Sequence, residues 1–202
     1  KVLLSAAQYL SQGKEYIDAA ICDYLPNEDT FPSSIHKSML YSILAGGKRF
    51  RPFLIYTFAK ALKVNSSNAM QIGIAVEMLH NYSLVHDDLP AMDDDDLRRG
   101  EPACHIQFDE ATAILTGDAL QAMAFEQLAA MKEIPPATQL ELVRLLANHS
   151  GCSGMVAGQA ISAADIKAAA KAQGIDFRQG DVILFHTGWT DAMLTSEPQA
   201  WA

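Results

Sequence analysis

Residues 68–100 read NAMQIGIAVEMLHNYSLVHDDLPAMDDDDLRRG, an apolar run that ends in six aspartates and two arginines. The run has no proline before its first aspartate pair, and apolar residues cover so much of its circumference that we expect a central helix in an all-α bundle. At about 100° per residue, Glu77, His80, Leu84 and Asp87 fall on one stripe. A cavity beside this stripe would contact His80 and Asp87, although a lone histidine on such a helix is more often a packed core residue.

The six aspartates that end this run bring many negative charges close together. Carboxylates packed so densely repel one another, so near neutral pH they persist only if solvated, paired with basic residues or shared with a hard cation such as Mg²⁺. If the chain kinks at the proline between the two acidic groups, Asp87 and Asp93 can face one point and offer oxygen ligands to Mg²⁺. A solvated acidic loop is the alternative. It would leave unexplained why Arg98 and Arg99 follow at once, where they could grip phosphates.

A compact basic segment, GGKRFRP, occupies residues 46–52. Its two glycines let the backbone approach a ligand closely, and Lys48, Arg49 and Arg51 place three cations within four residues. Together they could clamp a diphosphate. The alternative is a helix C-terminus capped by glycine, where the last carbonyls attract Lys and Arg. Taken alone, the segment does not decide between these interpretations.

Composition limits the class of protein. The chain has 202 residues, half of them hydrophobic, and a formal charge of −9, so it can bury a core but lacks the basic footprint of a general nucleic-acid binder. Cys22, Cys104 and Cys152 are odd in number and widely spaced, which suggests neither a disulfide framework nor a zinc site. A soluble protein of the reducing cytoplasm fits this pattern, and no apolar run is long enough to cross a membrane.

Helical periodicity also extends over the flanking sequence. Apolar residues spaced by three and four predict a surface helix over residues 2–24 and another that begins near Ser34. Further helices are predicted over residues 109–131 and 139–151, the last with Thr138 as its N-cap. Because this part of the chain shows no convincing strand and no internal repeat, the expected fold class is all-α.

Four motifs in residues 35–160 occur in the order of one enzyme family: GGKRFRP, EMLHNYSLVHDDLPAMDDDDLRRG, FDEATAILTGDAL and GMVAGQA. This part of the chain closely resembles the trans-polyprenyl diphosphate synthases, and among them the bacterial farnesyl diphosphate synthase (geranyltranstransferase) branch. The resemblance implies an isoprenoid-synthase-type helical bundle over residues 1–160 and a homodimer. It also implies prenyl transfer, in which Mg²⁺ helps an allylic diphosphate to ionise and isopentenyl diphosphate attacks the resulting cation.

The same resemblance implies roles for individual residues. Asp87 and Asp93 would hold Mg²⁺ with Asp88 in support, and no side-chain nucleophile is required. Tyr82 stands where an aromatic floor limits chain length, which favours a C10 to C15 product. The residues implied to contact diphosphates are Arg98 for the allylic substrate and Lys48, Arg51, His80 and Arg99 for isopentenyl diphosphate.

Residues 161–202 depart from the family pattern. Such an enzyme would continue with a lysine–threonine pair and a second aspartate-rich motif, and this sequence contains neither. Instead, a short helix is predicted from Ser162 to Gly174, followed by a buried strand over residues 182–185. The segment is similar to a stretch of the metal-dependent cyclase and kynurenine formamidase-like hydrolases, but the zinc-binding motif of that family is absent. We therefore expect an unrelated tail, with no hydrolase activity carried over.

Two functions follow as hypotheses. The first is a prenyl diphosphate synthase that binds Mg²⁺ and an allylic diphosphate but turns over poorly, because the second aspartate-rich motif is missing. The alternative is a catalytically silent diphosphate-binding subunit or fragment. An HD-type phosphohydrolase, suggested by the adjacent His86 and Asp87, would need further histidine and aspartate ligands and leaves the basic segment unexplained.

Overall fold

The computed structural model describes residues 6–160, together with residues 171, 172 and 174. The expected all-α architecture is confirmed in this part of the chain. None of the described helices combines the length and the apolar character that a membrane crossing needs. The helices are α1 (Ala6–Tyr24), α2 (Ser33–Leu44), α3 (Phe50–Ala61), α4 (Ser66–Asp87), α5 (Cys104–Gln107), α6 (Glu110–Ala129), α7 (Pro136–Ser150) and α8 (Met155–Gln159).

Helix α4 lies at the centre of the bundle, as its apolar circumference predicts. Its first turn is capped by Asn65, whose side-chain oxygen accepts hydrogen bonds from the backbone of Ser67 at 2.9 Å and of Asn68 at 3.3 Å. Ile74 and Met78 are fully buried, and α4 packs mainly against α6 on one side and α3 on another. This packing fixes the stripe that carries the candidate site residues.

Two glycines let the neighbouring helices approach α4 closely. A Cβ added to Gly73 would lie 3.0 Å from the Cα of Pro52 at the start of α3. A Cβ added to Gly117 of α6 would lie 2.1 Å from Nε2 of His86, so this glycine leaves room for the imidazole. His86 uses that room to place Nε2 at 2.9 Å from the carbonyl oxygen of Ile114. The last turn of α4 is thereby tied to α6.

A short antiparallel pair of strands interrupts the helical bundle, which the sequence did not predict. Strand β1 (Leu97–Arg98) pairs with β2 (Glu101–Pro102), with Arg98 opposite Glu101. The connecting residues Arg99 and Gly100 have φ of 59° and 90°. Positive φ at both central residues is typical of the type I′ hairpin turn, which suits strands this close together. The turn matters for function because it separates the directions of the two adjacent arginines.

The start of α7 also differs from expectation. Thr138 is not its N-cap, because the helix begins two residues earlier at Pro136, with Pro135 in the cap position and no side-chain cap. Proline at the first helical position needs no N–H partner and presets φ, so it replaces a capping side chain there. Glu141 in the first turns of the helix pairs with Arg144 at 2.6 Å.

The chain divides into two compact units, residues 1–156 and 157–202. Every site described below lies in the first unit. The helix predicted from Ser162 to Gly174 and the strand predicted over residues 182–185 lie outside the described residues, apart from residues 171, 172 and 174.

Candidate functional site

Arg49 is directed into the protein and does not join the basic surface. Its side chain is only 1% exposed, and its guanidinium donates to Asp18 at 2.5 Å, to Glu77 at 3.0 Å and to the carbonyl of Ile43 at 2.5 Å. The residue adopts a left-handed conformation, with φ of 49°, immediately before α3. The expectation of three available cations in residues 48–51 is therefore wrong for Arg49, which acts as a buried link between α1, α2 and α4.

The other basic residues of the segment line an open cleft of about 700 Å³. This volume is within the range of small-ligand sites. Lys14, Lys48, Arg51 and Arg99 line it as cations beside the buried Arg49–Glu77 pair, although the whole chain is acidic. The cleft is lined by Lys14, Gly47, Lys48, Arg49, Phe50, Arg51, Glu77, His80 and Arg99. It brings together all four residues that the family resemblance implies for isopentenyl diphosphate, from three separate parts of the chain.

The backbone of Gly47 lies directly beside the guanidinium of Arg99. Gly47 has φ of 117°, and a Cβ added to it would lie 2.7 Å from Cζ of Arg99. Arg99 also donates a hydrogen bond to the carbonyl oxygen of Gly46. Burial and the charge of Arg49 lower the pKa of Arg99, but a guanidinium stays protonated near neutral pH. The glycines thus hold a cation against the backbone of the basic segment.

Replacing Gly47 with alanine should weaken binding of inorganic pyrophosphate about tenfold, because the new methyl group displaces the Arg99 guanidinium. The matched control is Gly46→Ala, which has a similar φ of 100° but meets Arg99 only at an ordinary distance of 4.0 Å. Both variants should lose about 1–3 kcal/mol of stability through backbone strain. Titration calorimetry measures the affinities, and equal weakening in the two variants would contradict this role of Gly47.

His80 is neutral at physiological pH. Its pKa is lowered from 6.5 to about 4, first by burial and second by the positive charge of Arg51, while Glu77 opposes the shift. The imidazole therefore contributes a hydrogen-bonding group to the cleft without a charge of its own. This fits the stripe predicted from the sequence, where His80 and Glu77 share one face of α4.

Replacing Arg51 with glutamine should raise the pKa of His80 from about 4 towards its ordinary value of 6.5. The shift should be partial, because burial is the larger cause and remains. NMR titration of the His80 ring protons measures it. The control is Arg144→Gln, which changes an exposed arginine paired with Glu141. An unchanged His80 titration in Arg51→Gln would show that the two side chains do not share this cleft.

The acidic end of α4 brings two of the predicted metal ligands close together. The backbone N–H of Asp93 donates to the carbonyl of Asp87 at 2.8 Å, so the chain turns back on the helix end. Burial raises the pKa of the Asp87 carboxyl, and the neighbouring charge of Asp93 raises it again. This repulsion is what a shared cation would relieve.

Asp88 occupies a different environment from Asp87. It is 2% exposed and accepts two hydrogen bonds at 3.0 Å from Nε of Arg98, as well as one from Nη2 of the same guanidinium. The pair neutralises the buried carboxylate and holds Arg98 in place. Asp88 therefore supports the acidic end through Arg98, and the direct ligand candidates are Asp87 and Asp93.

The carboxylates of Asp87 and Asp93 suit Mg²⁺ that is also bound by substrate phosphates, and they are too few to hold a metal ion by protein ligands alone. Among the described residues, no group of three or more His, Cys, Asp or Glu side chains forms a metal-binding cluster. Mg²⁺ is commonly bound through one or two carboxylates plus substrate phosphates and retained waters. Asp87 and Asp93 match that pattern, with the phosphates expected from a ligand.

Tyr82 lies in the core, whereas His86 at the end of α4 is partly exposed. Tyr82 is buried in the main apolar cluster, and its ring meets His86 edge to face at 5.6 Å. Its role as a chain-length floor stays a prediction. His86 directs Nε2 to the carbonyl of Ile114 and lies 4.0 Å from Asp118, so its ring binds α6. This position gives no support to an HD-type phosphohydrolase.

Sequence reasoning missed Lys14 and Asp18, and it placed Glu77 on the stripe of α4 without a partner; all three complete the charged network around the basic segment. A signal was present for Glu77, since a carboxylate on a helix with an apolar circumference requires a buried partner. The partner could not be identified, because Arg49 reaches it only through the fold. Lys14 and Asp18 are four residues apart on α1, a spacing that is common for charged pairs on exposed helix surfaces, so the pattern contains no sign of their position in the cleft.

Comparisons with known proteins identify the family of the chain. The family model of polyprenyl synthetase matches residues 32–178. The chain is 44% identical to farnesyl diphosphate synthase of Geobacillus stearothermophilus, covering 78% of this chain and 53% of the relative. It is 52% identical to that of Haemophilus influenzae, covering 62% of this chain and 42% of the relative. An FPP/GFPP synthase from Zymomonas mobilis, solved without ligand, superimposes with a TM-score of 0.71 at 42% identity, covering 84% of this chain and 60% of that chain.

The chain therefore belongs to the polyprenyl synthetase family. It spans about half the length of the curated relatives it matches. The solved relative confirms the helical fold of the family, and the motifs named from the sequence lie within the matched residues.

Proposed function

We propose that this chain binds isopentenyl diphosphate in the basic cleft and a Mg²⁺-bound allylic diphosphate at Asp87 and Asp93, the arrangement for head-to-tail (1'-4) prenyl transfer. The observation that carries the proposal is the gathering of Lys48, Arg51 and Arg99 with neutral His80 in one cleft. Relatives named farnesyl diphosphate synthase, at 44–52% identity, support the assignment of substrates.

The hairpin between α4 and α5 serves both sites. Arg98 and Arg99 are adjacent, yet Arg98 pairs with Asp88 at the acidic end while Arg99 lies against Gly47 in the basic cleft. The positive φ of Arg99 makes this divergence possible. We assign Arg98 to the allylic diphosphate and Arg99 to isopentenyl diphosphate, so that one turn sets the relative position of the two substrates.

The protein side of the reaction is positioning and charge stabilisation. Lys48, Arg51 and Arg99 would orient the isopentenyl diphosphate, and Arg98 would contact the departing diphosphate of the allylic substrate. Mg²⁺ held by Asp87 and Asp93 would supply neutralisation of that leaving group. No side-chain nucleophile is needed. Tyr82, one helical turn before His86, is proposed to limit the product to C10–C15.

The 202-residue chain alone is proposed to condense substrates very slowly, because its sequence has a single aspartate-rich motif. Metal ligands from an opposite wall and exclusion of water would both be missing. A direct assay with isopentenyl diphosphate, dimethylallyl or geranyl diphosphate and Mg²⁺ tests this. Turnover equal to that of a complete synthase would overturn the proposed impairment. Binding without turnover would favour the second candidate, a catalytically silent diphosphate-binding subunit or fragment.

We also propose a cytoplasmic location and a homodimer. Cys22, Cys104 and Cys152 are all free thiols, which supports a reducing compartment. The dimer rests on the family resemblance alone. Light scattering of the purified chain would measure its mass, and a monomer at all accessible concentrations would contradict the dimer.

A further inference from the structure

The basic cleft includes one cation that lies far from the family motifs in sequence. Lys14 belongs to α1, more than thirty residues before the GGKRFRP segment, and it lines the cleft beside Gly47, Lys48 and Arg51. Its side chain is 39% exposed, whereas that of Arg49 is 1% exposed. Lys14 is therefore available to a ligand in a way that Arg49 is not.

Asp18 fixes the position of Lys14. One carboxylate oxygen of Asp18 accepts from Nζ of Lys14 at 2.5 Å, and the other accepts from Nε of Arg49 at 2.5 Å. Burial pushes the pKa of Asp18 upwards, but the hydrogen bonds from these two cations outweigh it, so the pKa is lowered. Asp18 thus stays ionised between the two cations.

Asp18 has a second, buried partner besides Lys14. Arg49 is the nearly inaccessible partner, and it also binds Glu77 and the carbonyl of Ile43. An ammonium group has three donors, and Asp18 occupies one of those of Lys14. Lys14 is half-buried in the wall of the basic cleft. Its remaining N–H groups can donate hydrogen bonds to the oxygens of a phosphate ligand in the cleft.

We propose that Lys14 is a further diphosphate-binding residue of this cleft, through which α1 contacts the isopentenyl substrate. The inference rests on the proposed function, since it assumes that the cleft holds a diphosphate. Lys14 contributes a point charge on a flexible stem, which complements the more rigid guanidiniums of Arg51 and Arg99. Binding of the substrate would accordingly tie α1 to the loop before α3.

Titration calorimetry of the full 202-residue chain with inorganic pyrophosphate, in EDTA to exclude metal, tests this inference. Lys14→Gln should weaken affinity about tenfold, as expected for loss of one charge-assisted hydrogen bond. Lys14→Arg, which keeps the charge, should recover most of the affinity. The control is Lys60→Gln, which changes a lysine placed over the ring of Tyr56 and absent from the cleft lining.

A purely structural role for Lys14 makes a different prediction. If Lys14 only stabilised α1 through Asp18, Lys14→Gln would lower the melting temperature of the protein. The affinity for pyrophosphate, measured well below that temperature, would not change. This result would contradict the inference. The variant Arg51→Gln shows whether such a result rejects only the role of Lys14 or the diphosphate site as a whole. Loss of affinity in Arg51→Gln without loss in Lys14→Gln rejects only the role of Lys14. Unchanged affinity in both variants rejects the cleft as a diphosphate site.

Discussion

Replacing Arg49 with methionine should destabilise the protein by about 3–5 kcal/mol or prevent folding, because it leaves buried charges without their partner. Glu77 is 2% exposed and accepts from Nη1 of Arg49, so removal of the guanidinium leaves its carboxylate with Asn81 as a weaker donor at 3.4 Å. The carbonyl of Ile43 also loses its side-chain donor. Urea denaturation followed by circular dichroism measures the loss.

A double variant keeps this prediction testable if the single variant does not fold. Arg49→Met combined with Glu77→Met removes both members of the buried pair, and apolar replacement of a whole pair is often neutral. The double variant should therefore recover part of the lost stability. Arg144→Met, at an exposed pair with Glu141, should change stability little. Equal stability of Arg49→Met and the wild type would contradict the network described here.

Replacing Asp87 with asparagine should weaken Mg²⁺-dependent binding of a non-hydrolysable allylic thiolodiphosphate at least about 100-fold. The reason is the loss of one of two candidate carboxylate ligands at the end of α4. Calorimetric titration with and without Mg²⁺ measures the difference. Binding of inorganic pyrophosphate in EDTA should be unaffected, because Asp87 does not line the basic cleft.

The matched control for Asp87 is Asp94→Asn. Asp94 belongs to the same acidic run, is exposed, and has a φ of 54°, which asparagine tolerates as well as aspartate does. If the aspartates act only as a solvated negative surface, both substitutions should have the same modest effect. A ligand role for Asp87 requires a much larger loss in Asp87→Asn than in Asp94→Asn.

The sequence predicted those features that depend on local pattern. Apolar periodicity identified α4 as the central helix, and the stripe of Glu77, His80 and Asp87 followed from 3.6 residues per turn. The four family motifs led to the family that the comparisons establish. The grouping of Lys48, Arg51, His80 and Arg99 came from the resemblance, and the structure places these residues in one cleft.

Features that depend on distant contacts were not predictable in the same way. Arg49 resembles its neighbours in sequence, but a left-handed backbone at this residue turns it towards Asp18 and Glu77. Each strand of the β1–β2 hairpin has only two residues, which is too short to show the alternation of apolar and polar residues that identifies a strand. The position of Lys14 in the cleft depends on the packing of α1 against α3 and α4, which the sequence pattern does not show.

We propose that the two diphosphates occupy neighbouring sites with different requirements. The basic cleft supplies fixed cations and a neutral histidine, so it should bind a diphosphate without metal. The acidic end of α4 carries mutually repelling carboxylates, so it should bind an allylic diphosphate only when Mg²⁺ is present. Arg98 pairs with Asp88 and Arg99 lies against Gly47, so these consecutive arginines would serve the two proposed sites separately.

The most direct test is sequential calorimetric titration of the 202-residue chain. We predict that isopentenyl diphosphate binds in EDTA with one site per chain, and that an allylic thiolodiphosphate binds the isopentenyl-saturated chain only after Mg²⁺ is added. Both ligands should then be bound together. Displacement of one ligand by the other, or metal-independent binding of the allylic analogue with the same affinity, would contradict the division into two sites.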